Sequence, residues 1–62
     1  MYRREITKDI YDRTIRNYGY ITIGDQIALF SHDELHKNGI YSPTVKKEGD
    51  KYYVLFSYGK EN

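Results

Sequence analysis

Apolar residues recur along this chain with two different periods, and the change of period marks out its elements. Between Arg3 and Asn17 the spacing is helical. At about 100° per residue, Ile6, Ile10, Tyr11, Thr14, Ile15 and Tyr18 fall in one half of the wheel. Glu5, Lys8, Asp9, Asp12, Arg13 and Arg16 fill most of the other half. Lys8–Asp12, Asp9–Arg13 and Asp12–Arg16 are opposite charges four apart, each adding about 0.2–0.5 kcal/mol when exposed. The pattern predicts an amphipathic helix over 3–17, ended by Asn17 or Gly19, both tolerant of left-handed backbone. Its polar face mixes both signs, as a solvated face does; a groove-reading helix would be basic.

From Tyr20 the period shortens to two. Tyr20, Ile21, Thr22 and Ile23 alternate up to Gly24-Asp25, a pair suited to a tight hairpin loop, and Gln26 to Phe30 would return as the second arm. A two-residue loop sets Ile21 and Ile23 against Gln26 and Ala28; a three-residue loop unites them with Ile27 and Leu29, so the register is open. A second β pattern covers 41–58. Thr44-Val45-Lys46-Lys47 and Lys51-Tyr52-Tyr53-Val54-Leu55-Phe56 flank a turn at Glu48-Gly49-Asp50. The second arm is apolar on both faces, as in a central strand. Pro43 fits only a strand start or an edge. Gly24–Ser31 and Gly49–Ser57 echo one another, as two units of similar build would. Gly59-Lys60-Glu61-Asn62 is a polar tail expected to fray.

Between the β patterns stands a helix with both ends specified. Ser31 followed three residues later by Glu34 is a capping box: the hydroxyl accepts from the Glu34 amide and the carboxylate from the Ser31 amide. Phe30 and Leu35 form the matching hydrophobic staple, and Asn38-Gly39 supplies a left-handed stop with Ile40 behind it. These signals predict a helix from about His32 to Asn38. His32 and His36 share its face, at the spacing of half a zinc-protease motif. That motif places glutamate directly after the first histidine, whereas Asp33 stands here and Glu34 belongs to the cap. With no third ligand in the pattern, no metal is expected. The string His32-Asp33-Glu34-Leu35 spells a retention signal, but such a signal is read only at a C-terminus.

The expected architecture is α+β: an N-terminal amphipathic helix on an antiparallel sheet of two hairpins, with a short capped helix between them (α-β-β-α-β-β). Residues 39–47, Gly-Ile-Tyr-Ser-Pro-Thr-Val-Lys-Lys, also resemble the turn and recognition-helix start of helix-turn-helix proteins, with Ser42 as cap and Pro43 at the first helical position. That resemblance implies a winged-helix fold, with Thr44, Lys46 and Lys47 toward DNA. Gly49 would cut such a recognition helix short.

Sixty-two residues suffice for one domain, and a chain this short buries only about 60% of its unfolded surface. Cysteine is absent, so no disulfide adds to that. Eight tyrosines must serve partly as core, and the remainder would be exposed, where tyrosine favours contact surfaces. Ten basic and nine acidic residues give a net charge of +1, too balanced for a non-specific nucleic-acid binder or a polybasic membrane anchor. No apolar run is long enough for a membrane span or follows the N-terminal arginines as in a secretory signal, so a cytoplasmic protein is expected. The abundance of Ile, Tyr, Lys and Asn suits an AT-rich genome, such as that of a phage or mobile element.

Enzymatic chemistry finds no foothold: there is no glycine-rich phosphate loop, and Asp33 and Glu34 diverge on a helix instead of forming an acid/base pair. The pattern instead suggests a small non-enzymatic protein-binding module, an inhibitor or adaptor. Its contacts would come from Tyr20, Tyr41, Tyr52, Tyr53 and Tyr58 in or beside strands. No cofactor is expected, and a free sheet edge would let two copies pair. The alternative is nucleic-acid binding, with Thr44, Lys46, Lys47 and Lys51 contacting phosphates beside stacked aromatic rings.

Overall fold

A computed structural model describes residues 1–59; the rest of the polar tail, residues 60–62, lies outside the described part. The chain runs through strand β1 (Tyr2–Ile6), helices α1 (Lys8–Arg16), α2 (Ile23–Leu29) and α3 (Glu34–Asn38), and strands β2 (Ile40–Glu48) and β3 (Lys51–Tyr58). The strands form one antiparallel sheet in the order β1-β3-β2. The architecture is therefore α+β, with three strands and short helices.

β3 takes the central place that its two apolar faces suggest. Val54 and Phe56 are essentially inaccessible, and with Ile6, Ile21 and Phe30 they make the core. Strand alternation sends Tyr52 and Tyr58 to the same inner side. Tyr53, Leu55 and Ser57 point to the outer side, opposite Glu5, Arg3 and Tyr41. β2 joins β3 through the two residues Gly49-Asp50, with Glu48 paired to Lys51. Gly49 has φ 62 and Asp50 is not left-handed, the sign pattern of a II′ turn. Ser42, at φ 50, and Pro43 form a bulge that shifts the register between Tyr41 and Thr44. Because 40–48 is a strand, the recognition helix of the helix-turn-helix reading does not exist.

Two expectations fail. The N-terminal helix begins at Lys8, not Arg3. Residues 2–6 pair with β3 from Phe56 to Tyr52 instead, covering an edge that would otherwise lie open. Thr7 separates the two states: its backbone is extended and its hydroxyl accepts from the Ile10 amide at 3.2 Å, so it caps α1. The first hairpin is absent as well. Thr22 caps a helix by accepting from the Asp25 amide at 3.2 Å, and Gly24 lies within that helix instead of in a turn. Asp25 fixes the choice. It is 8% exposed and held by Arg13 Nε and Nη2 at 2.9 and 2.8 Å, which lowers its pKa. In a hairpin tip it would sit in solvent, and this bond would be lost. The Gly24 and Gly49 stretches, similar as strings, are a helix and a strand.

The capping box forms as its sequence indicates. The Ser31 amide donates to Glu34 at 2.9 Å and the Glu34 amide to Ser31 Oγ at 3.1 Å. Beyond the cap the turn widens to π winding over Glu34–Asn38 and stops at Gly39, φ 74. The same carboxylate accepts two bonds from Arg4, at 3.2 and 2.9 Å, and one from Tyr58 Oη at 2.6 Å. Arg4 also donates to the Leu29 carbonyl and lies over Phe30 and Phe56. Glu34 thus joins α3 to β1 and β3.

Arg4 above all, then Tyr58 and the Ser31 amide, stabilise the Glu34 anion and hold its pKa near about 2, against 4.5 unperturbed. A depressed folded-state pKa contributes stability that is complete above the unfolded value and drains away as the pH falls through the folded one. Glu34→Gln should therefore cost roughly 2 kcal/mol at neutral pH, a figure reduced for the partly exposed Arg4. Urea unfolding of wild type and variant at about pH 7, 4 and 2 should show that gap narrowing steadily toward pH 2. A gap independent of pH would mean that the charge is not what matters.

Candidate functional site

The tyrosines divide by the work they do inside the fold. Tyr52 stacks against Tyr11 of α1 at 4.9 Å, with Lys47 Nζ 5.8 Å from its ring. Tyr58 packs with Tyr2 at 4.8 Å and spends its hydroxyl on Glu34. Both are half-buried on the inner face, so their rings are structural. Tyr53 lies at the centre of the outer face beneath the Arg3 guanidinium, 4.4 Å from its ring. Arg3 reaches on to Glu48 at 2.9 Å, so an ion pair arches over the ring and leaves Tyr53 half-buried. Of the five tyrosines expected to make contacts, only Tyr20 and Tyr41 are mostly exposed, at 73% and 63%.

Tyr20 borders a groove, whereas Tyr41 points to the outer side of the sheet, opposite Ser57. Residues 19–21 of the α1–α2 connection, Gln26 of α2, and Ile40 and 42–44 of β2 enclose a groove of about 550 Å³, within the usual range for binding clefts. Tyr20 is its aromatic lining residue; Tyr41, though next to Ile40 in the strand, does not line it. β2 is an edge strand here, but Pro43 offers no N–H and the bulge breaks the ladder. The groove therefore favours side-chain contacts over regular strand addition. The Gln26 amide, bonded to the Ile21 carbonyl at 2.9 Å, holds the connection against α2.

Helical spacing predicts Tyr18 on the apolar stripe of α1. Instead it lies beyond the end of the helix, 92% exposed, with φ 57. Asn17 is the C-cap, and the Gly19 amide closes on the Thr14 carbonyl at 2.9 Å; that closure bends Tyr18 into the left-handed region. A bulky residue in that region is uncommon and costs stability. Ile15, also assigned to the stripe, is 53% exposed, whereas Thr14 is fully buried with its hydroxyl donating to the Ile10 carbonyl at 2.8 Å.

Of the residues of the nucleic-acid alternative, Thr44, Lys46 and Lys51 lie on the outer face with Glu48 among them, and Lys47 on the inner face. Lys46 shares the outer face with Thr44 and approaches Glu48 at 3.9 Å, Lys47 leans over Tyr52 on the inner side, and Lys51 stands at the hairpin turn opposite Glu48. His32 and His36 are exposed with ring centroids 4.5 Å apart, and no group of three or more His, Asp or Glu side chains among the described residues is placed to hold a metal. No helix of the described part is long and apolar enough to cross a membrane. Comparison with protein-family models, with curated proteins and with solved structures returned no match.

Because Tyr18 contributes exposure and backbone strain to the isolated fold, Tyr18→Asn should raise stability by about 0.5 kcal/mol. Thermal denaturation checks this, and a lowered midpoint would show that the ring supports the fold.

Proposed function

We propose that this chain is a small non-enzymatic protein-binding module of the inhibitor or adaptor type. Its contact surface is the groove beside β2, lined by Tyr20 and bordered at Gly19 by the exposed Tyr18, with Tyr41 exposed on the outer side of the same edge strand. The observation that carries this reading is the placement of Tyr18, exposed in a backbone conformation that asparagine or glycine would adopt at lower cost. Strain of this kind persists where function requires it. Tyrosine brings a large contact area with few rotatable bonds, and its hydroxyl tolerates the wet rim of an interface. Tyr52 and Tyr58 are occupied inside the fold, against Tyr11 and Glu34, and Tyr53 lies under Arg3.

Nucleic-acid binding has less support. Its basic residues are spread over both sides of the sheet, next to acidic side chains that cancel their field.

The test is affinity capture from the native host's lysate with wild-type chain, Tyr20→Ala/Tyr41→Ala and, as a control, Tyr53→Ala. Wild type and the Tyr53→Ala control should retain the same protein in near-stoichiometric amount, and the double variant, with an unchanged circular dichroism spectrum, should lose it. Equal retention by all three, or none by wild type, would refute the proposal.

A further inference from the structure

The two edges of the sheet are not alike. β2 is guarded: Pro43 lacks an N–H, the bulge at Ser42 breaks the ladder, and Lys46 and Lys47 follow it. β1, at the opposite edge, has no proline, no glycine and no bulge, and its register to β3 is unbroken from Tyr2 to Ile6. An antiparallel strand paired on one side turns the N–H and C=O groups of alternate residues to the other. Among the described residues, no hydrogen bond beyond the ladder to β3 ends on the main chain of β1. Glu5, exposed on the outer face, makes no ion pair among the described residues either.

We infer that β1 pairs with the β1 of a second copy, antiparallel, to make a six-stranded sheet with three strands from each chain. The inference does not rest on the groove, which lies at the far edge and stays open in the pair. The charges of β1 select both the occupant and the register. With the two-fold axis through Arg4, all five residues overlap. Arg3 of each copy then stands opposite Glu5 of the other on the outer face, and Tyr2 opposite Ile6 on the inner one. Because side chains alternate between faces, the next registers that keep the backbone pairing centre on Arg3 or on Glu5. They set Arg3 against Arg3 or Glu5 against Glu5, with like charges opposed. One alignment alone satisfies backbone and charge together, and it is symmetric, as an isologous contact between identical chains requires. The two Arg4 side chains that meet at the axis repel little, since each guanidinium is held by its own Glu34 at 3.2 and 2.9 Å. In the single chain Arg3 leans over Tyr53 to Glu48. Turning it to Glu5 of the second copy exchanges one exposed ion pair for another, and Glu48 keeps Lys46 at 3.9 Å.

Sedimentation equilibrium from about 10 µM to about 1 mM tests this directly. Wild type should move from 7.4 kDa toward twice that mass. Arg3→Glu and Glu5→Arg each oppose like charges at both contacts, so each variant alone should associate at least about tenfold more weakly. Both side chains are exposed, so the circular dichroism spectra at the lowest concentration should match wild type. An equimolar mixture of the two variants should dimerise again, because every glutamate of one then faces an arginine of the other. A mixture that stays monomeric would overturn the inference. So would a wild-type chain that is monomeric at the highest concentration, or a dimer equally tight in both single variants.

Discussion

One carboxylate holds the layers of this protein together. Glu34 accepts from its own helix cap, from a strand at one end of the chain and from a tyrosine at the other, and it is largely withdrawn from water. Charge-assisted bonds to several donors in a low-dielectric setting are stronger than neutral ones, and a carboxylate short of partners there would be costly. The chain has no cysteine, and the described residues include only five buried apolar side chains, so this junction takes the part that a covalent staple has in other small domains. It also decides which aromatic residues are free for other work. Tyr58 is bound to Glu34, Tyr2 and Phe56 pack beside it, and Arg4 lies over Phe30 and Phe56.

The Arg13–Asp25 pair does for the helical layer what Glu34 does for the sheet, but with a side effect. Burying Asp25 turns α2 so that Leu29 packs on the core and both remaining isoleucines face outward. A helix that spends its inner face on a charge must leave apolar area in water. The exposed stripe is therefore a geometric consequence of the ion pair. The same bond holds the α1–α2 connection where Tyr20 can wall the groove.

How much of this the sequence reveals depends on how local each signal is. The Ser31–Glu34 box, the Gly39 stop, the Gly49-Asp50 turn and the central place of β3 rest on neighbouring residues, and each appears as expected. The failures have non-local causes. Tyr2, Arg4 and Ile6 alternate as an edge strand should, yet Ile6 continues a helical period; β3, fifty residues away, settles the conflict. Thr7 and Thr22 are both residue types that cap helices and both do so here, but each sits inside a longer apolar pattern that points to a different element. Nothing near Asp25 announces Arg13 as its partner, since Arg13 also stands four from Asp9. The division of the tyrosines was hidden for the same reason. Composition implied that some had to be core, but only the register of β3 and the arch of Arg3 to Glu48 determine which.

The features that weaken the isolated protomer are concentrated in one stretch. A left-handed tyrosine and two exposed isoleucines all fall between residues 18 and 27, and single substitutions could relieve each. A chain of this size has little stability to lose, so such costs persist only where they are offset. The sheet, the caps and the Glu34 junction follow local and electrostatic rules closely. Departures from those rules occur at Tyr18, Ile23 and Ile27, and again at Ser42 in the β2 bulge. The isoleucine exposure already follows from the Arg13–Asp25 pair, so the strain at Tyr18 is the cost that the proposed contact surface has to offset.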